Sequence, residues 1–119
     1  MKTKKELKED YLNKTFPMGV FQIRNKTNGK VFIEGSINLD AIWNRHRTQL
    51  KWGGHPNAGL QKDWNAMGED HFVFEILETI EPGDDAGIDY AREIKTLETM
   101  MIEERQPFDE KGYHKRKPK

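Results

Sequence analysis

The chain has 119 residues, no cysteine, and 20 Lys plus Arg balanced by 20 Asp plus Glu, for a formal net charge of zero. That length suits one domain. The composition excludes disulfide scaffolds, Cys-ligated zinc, iron–sulfur clusters and cysteine nucleophiles, and with them a uniformly basic nucleic-acid coat. No apolar run approaches the roughly 18 residues of a membrane helix. The charged start, Met1-Lys2-Thr3-Lys4-Lys5-Glu6, lacks a signal peptide's apolar stretch, so a cytoplasmic protein with no membrane partner is the expectation. The zero is also segregated. Residues 1–65 carry 12 basic and 6 acidic side chains, residues 66–110 carry 3 and 14, and residues 111–119 carry 5 and none.

Lys4 to Asn13 is polar and helix-prone, with Leu7 and Tyr11 one turn apart, and predicts a short N-terminal helix. Met18 to Asn25 alternates as a strand does, and Lys30 to Ile33 resumes the pattern after Asn28-Gly29. That dipeptide tolerates positive φ at both centres of a tight turn, so a β-hairpin over 18–35 is expected. Ser36 or Asn38 can cap a helix whose stripe is Leu39, Ile42, Trp43, His46 and Leu50, stopped by Gly53-Gly54. Asn57 can cap a second helix with Leu60, Trp64 and Met67 on one face, closed by Gly68. Phe72 to Ile80 is rich in aromatic and β-branched residues and reads as a buried strand. Residues 81–85 read as a loop. Ile88, Ala91, Ile94, Leu97 and Met101 mark a helix over 88–105, ended by Pro107. Lys111 to Lys119 reads as a mobile basic tail. The order predicts an α+β domain: a small three-stranded sheet containing a β-hairpin, flanked by helices, over residues 18–110, with a helical extension at 1–17 and the tail at 111–119.

Gly19-Val20-Phe21 and Val31-Phe32-Ile33, one on each side of the Asn28-Gly29 turn, resemble the paired motif that names the GIY-YIG nuclease family. Trp43 and His46 fall where that family's first long helix carries W-x-x-H. Leu60-Gln61, Trp64-Asn65, Gly68-Glu69-Asp70 and the strand from Phe72 to Glu78 look like its phage-homing and bacterial branches. Glu98 and Gly112-Tyr113 complete the series, so the likeness spans residues 18 to 114. It implies a metal-dependent DNA endonuclease, with Mg²⁺ on the glutamate matched by Glu98. In that family a motif tyrosine activates water, and a second tyrosine and a helix arginine stabilise the phosphate. Such chemistry needs an activated water and positive charge facing the developing oxyanion.

This chain departs from that pattern. Phe21 and Phe32 stand at the tyrosine positions, and a phenyl ring neither donates nor accepts a proton. Glu34 stands at the second motif's glycine, unless a bulge gives that role to Gly35. Ile42, or Trp43 one position on, replaces the arginine, and His114 replaces an asparagine. His46, His55 and Glu98 remain as polar counterparts. His46 and Glu98 are the candidate catalytic groups and Glu98 the candidate metal ligand. Against these roles, His46 could be a bonded core histidine and Glu98 a salt-bridge partner of Arg45 or Arg47, while Arg45 could swing in for the missing arginine. His46 and His55, nine apart, show no zinc spacing. Trp43 and Trp64 read as core, and Trp52 as exposed.

Lys26, Lys30, Arg45, Arg47, Lys51 and Lys62 form the candidate nucleic-acid surface. The favoured expectation is a nuclease-like domain impaired in cleavage that binds nucleic acid, DNA first, with no cofactor. The alternatives are an active endonuclease with rearranged groups and Mg²⁺, and a protein-interaction module using the acidic 66–110 surface. The sequence leaves the oligomeric state open.

Overall fold

A computed structural model describes residues 17–81 and 87–115. The expected N-terminal helix, most of the 81–85 loop and the end of the basic tail lie outside the described residues. Strand β1 (Met18–Asn25) is followed by β2 (Val31–Ser36), α1 (Leu39–Trp52), α2 (Ala58–Met67), β3 (Phe72–Ile80) and α3 (Tyr90–Arg105). The sheet has the order β2-β1-β3, antiparallel throughout. The α+β architecture and the hairpin expected from the sequence are both present.

β1 is the central strand, and helices cover both of its faces, so seven of its eight residues are buried. Phe21 and Ile23 point into a cluster with Leu39, Leu50, Leu60, Trp64, Phe72 and Tyr113. On the other face Val20 and Ile33 are buried, and α3 packs across β2 and β1. That approach is close. A Cβ built on Gly35 would lie 2.4 Å from the Ile94 Cγ2 of α3, so the missing side chain is what lets helix meet strand.

The helix boundaries follow from caps. Asn38 accepts from the Ala41 amide and Asn57 from the Leu60 amide, while Gly53 closes α1 in the left-handed conformation. Ser36 does not cap α1; its hydroxyl accepts from the Asn38 amide instead. Asp89 caps α3, which therefore starts at Tyr90 and leaves Ile88 exposed before it.

Three expectations are corrected. The hairpin turn has positive φ at Gly29 only, because the Gly29 amide bonds to the Asn25 carbonyl and makes a longer loop than a two-residue turn. β3 is an edge strand with most residues only partly covered; its apolar run has one neighbour, β1, rather than two. Residues 111–115, expected to begin a mobile tail, are docked. Gly112 bridges Val31 in parallel, the Tyr113 amide bonds to the Val31 carbonyl, and the Tyr113 side chain is buried.

Tyr113 also anchors the hairpin turn. Its hydroxyl donates to Asp63 at 2.7 Å and accepts from the fully buried Asn25 amide at 3.1 Å. Burial pushes the phenol's pKa up, so it stays protonated and able to donate. Tyr113→Phe would remove both bonds while Asn25 keeps its contact to the Met67 sulfur. The expected cost is about 1–2 kcal/mol, read from the urea midpoint; an unchanged midpoint would contradict this anchoring role.

Candidate functional site

β1, β2 and α1 bring the two motif phenyl rings and His46 together. Phe21 is fully buried, with its ring centroid 4.9 Å from Phe74 and 5.6 Å from His46. Phe32 stacks on His114 at 5.1 Å and meets His46 and His55 edge-on at 5.5 and 5.7 Å. Ile42 and Trp43 pack against the same core. The positions that would carry hydroxyls and a guanidinium therefore carry packed hydrocarbon and aromatic rings.

The polar residues form one directed chain. The Asn57 amide donates to His55 Nδ1 at 3.0 Å, so that nitrogen holds no proton and His55 carries its proton on Nε2. His55 Nε2 lies 2.7 Å from His46 Nδ1 and must donate to it. His46 then carries its own proton on Nε2, 2.6 Å from Glu34 Oε2. The chain thus runs in one direction, from the Asn57 amide through both rings to the Glu34 carboxylate. Burial pushes the His55 pKa down to about 4, in keeping with this assignment.

Gln61 fixes the loop that turns His55 back onto α1. It accepts from the His55 amide at 3.0 Å and donates to the Leu50 carbonyl at 2.9 Å. Asn57 adds a second tie, from its side-chain amide to the Tyr113 carbonyl at 2.9 Å. His114 is set in the same way as His55. The Ile33 amide donates to its Nε2 at 2.8 Å, which places its proton on Nδ1, and burial pushes its pKa down.

Glu98 sits on the other side of Glu34. Its Oε1 accepts from the Gly35 amide at 3.2 Å, and Lys95 lies 2.7 Å from its Oε2. Its ion-pair partner is thus Lys95 of the preceding turn, not Arg45 or Arg47. The resemblance implies a divalent metal on Glu98, the one carboxylate that the likeness assigns to it. Both carboxylate oxygens are engaged, and among the described residues no group of three or more His, Asp or Glu side chains is arranged to hold a metal ion.

The basic residues are distributed. Arg47 and Lys51 share Glu69, at 2.6 and 3.6 Å, and hydrogen bonding by Arg47 lowers the Glu69 pKa. Lys30 lies over the Tyr113 ring at 5.7 Å, while Lys26, Arg45 and Lys62 are exposed. Arg45 therefore does not replace the missing arginine. Trp52 is 86% exposed, as its place beside Gly53 implied, Trp64 is buried, and Trp43 is only partly buried against the core. Gln61, Lys95 and Tyr113 were not singled out from the sequence as functional. Gln61 and Tyr113 entered only as part of the family likeness, and Asn57 as a helix cap.

A three-stranded antiparallel sheet with a hairpin, followed by two helices, an edge strand and a third helix, is a GIY-YIG nuclease-like fold. Known proteins place it further. Intron-associated endonuclease 1 of Enterobacteria phage T4 is 38% identical over 64 residues, which is 52% of this chain and 25% of that protein's length. The solved catalytic domain of homing endonuclease I-TevI aligns with a TM-score of 0.65 and 29% identity, over 81% of this chain and 95% of that one. A mutant form of the same catalytic domain aligns at 0.63 and 28%, over 75% and 84%. No protein-family model matches the chain. Among the described residues no helix is long and apolar enough to cross a membrane.

Proposed function

We propose that this domain binds nucleic acid, DNA first, without cutting it and without a resident metal. The observation that carries the reading is the pair Phe21 and Phe32. They fill the motif positions of a nuclease-like hairpin with rings that move no proton and contact no phosphate oxygen. Support for a nucleic-acid partner comes from the likeness to intron and homing endonucleases. Lys26, Arg45 and Lys62 are exposed cations, and Lys30 lies at the edge of the histidine cluster.

Contacts to phosphate release counterions. Affinity for duplex DNA is therefore expected to fall by about 0.9 decade per decade of salt for each contact made. In a gel-shift series, Lys26→Ala and Lys62→Ala should each lower that slope by about one contact's share. Supercoiled plasmid incubated with Mg²⁺ or Mn²⁺ should remain intact at high protein concentration. Absence of binding at low salt would end this reading. Nicking that Glu98→Ala abolishes would replace it with that of an active endonuclease.

A further inference from the structure

The hydrogen-bond chain ends in a cavity. Glu34, His46, His55, Phe32, Tyr113 and His114 line a hollow of about 750 Å³ at the outer end of β2. That lies within the 300–1,000 Å³ typical of small-molecule sites. Its walls are rings, with Phe32 and His114 stacked 9° from parallel.

Its polar groups select by chemistry. Glu34 accepts from His46 through Oε2, and its Oε1 takes no hydrogen bond among the described residues. An anionic acceptor in this position repels a phosphate and attracts an N–H donor. His114, with Nε2 occupied by the Ile33 amide, offers Nδ1–H as a donor. His46 and His55 have both nitrogens committed and only position Glu34. Lys30, Lys115 and Asp109 are also among its lining residues, and Lys115 is exposed. Flat walls, the Glu34 acceptor, the His114 donor and the lysines suit a ligand that is planar and donor-bearing at one end and anionic at the other.

We infer that this cavity takes an unpaired nucleotide, its base entering toward Glu34 and its phosphate remaining outside at Lys30 and Lys115. Guanine fits best, because it presents adjacent N–H donors beside a carbonyl acceptor. The inference rests on the nucleic-acid reading and deepens it: the partner is a strand with an exposed base rather than continuous duplex. A cationic side chain such as arginine would also satisfy Glu34, but the two lysines oppose a basic peptide.

Fluorescence anisotropy at low salt would compare a labelled duplex with the same duplex bearing one bulged guanosine, and an arginine-rich peptide. The bulged duplex should bind about tenfold tighter than the paired one. Glu34→Ala should bring the affinities for the bulged and paired duplexes to parity. Lys115→Ala, at an exposed position, should weaken the bulged complex more than the paired one. Equal binding of both duplexes by wild type would overturn the cavity assignment and leave the nucleic-acid reading standing. Failure to bind either duplex would overturn both, and binding of the peptide alone would overturn both in favour of a basic protein partner.

Discussion

Gly19→Ala is expected to destabilise the domain by about 3–5 kcal/mol, a large fraction of the roughly 5–15 kcal/mol that holds a typical domain folded. Two costs combine at this glycine of the first motif. Its φ of +155° is a conformation that side-chain-bearing residues rarely adopt. A Cβ added there would also lie 1.9 Å from the Glu78 carbonyl oxygen and 2.8 Å from the Thr79 Cα, both backbone atoms of β3. Neither can move without breaking the pairing of Gly19 with Thr79 beside the sheet's irregularity at Val20/Phe21. Gly54→Ala is the control: its Cβ meets open space, and the melting temperature should hardly change. A Gly19→Ala protein that melted like the control would refute this account.

Stability should fall as pH drops from about 6.5 to about 4, by up to about 3 kcal/mol. In the folded protein the His55 pKa is pushed down from 6.5 to about 4 by burial and by His46. Between those values the unfolded chain takes up a proton at His55 that the folded chain refuses. Unfolding is therefore favoured by acid in this window, and the stabilisation is fully present above it. His114, also lowered by burial, acts in the same direction. The carboxylates Glu69 and Glu75, held below 4.5 by their arginine hydrogen bonds, add their losses only at lower pH. The upper part of the window therefore reports the histidines. Urea midpoints across pH 4.5–7 would measure the slope, and His55→Gln should flatten it. A slope unaffected by His55→Gln would place the coupling elsewhere.

Much of the fold was legible because its signals are local. Asn38 and Asn57 cap the helices they precede, and the alternation from Met18 to Asn25 reads directly as a strand. β3 was misjudged because Phe72 to Ile80 is as apolar as a central strand. Which neighbours it has depends on topology, and among the described residues its strand partner is β1, some fifty residues earlier. The site was legible only in part. That Phe21 and Phe32 lack hydroxyls follows from the letters alone. The pairing of His46 with His55 does not, since a spacing of nine means nothing until Gln61 folds the intervening loop back. The partner of Glu98 does have a local signal, since Lys95 lies three residues before it on α3, whereas Arg45 and Arg47 lie on α1.

The docking of Gly112 to His114 on β2 bears on self-association. A three-stranded sheet has two outer edges, each a row of main-chain groups able to recruit a strand from another molecule. Here the Val31 carbonyl and the Ile33 amide of one edge are already taken, by the Tyr113 amide and the His114 ring. The chain's own C-terminal segment thus guards β2 against templating. Among the described residues it leaves β3, with Ile76 half exposed, as the edge at which copies of this protein would first aggregate.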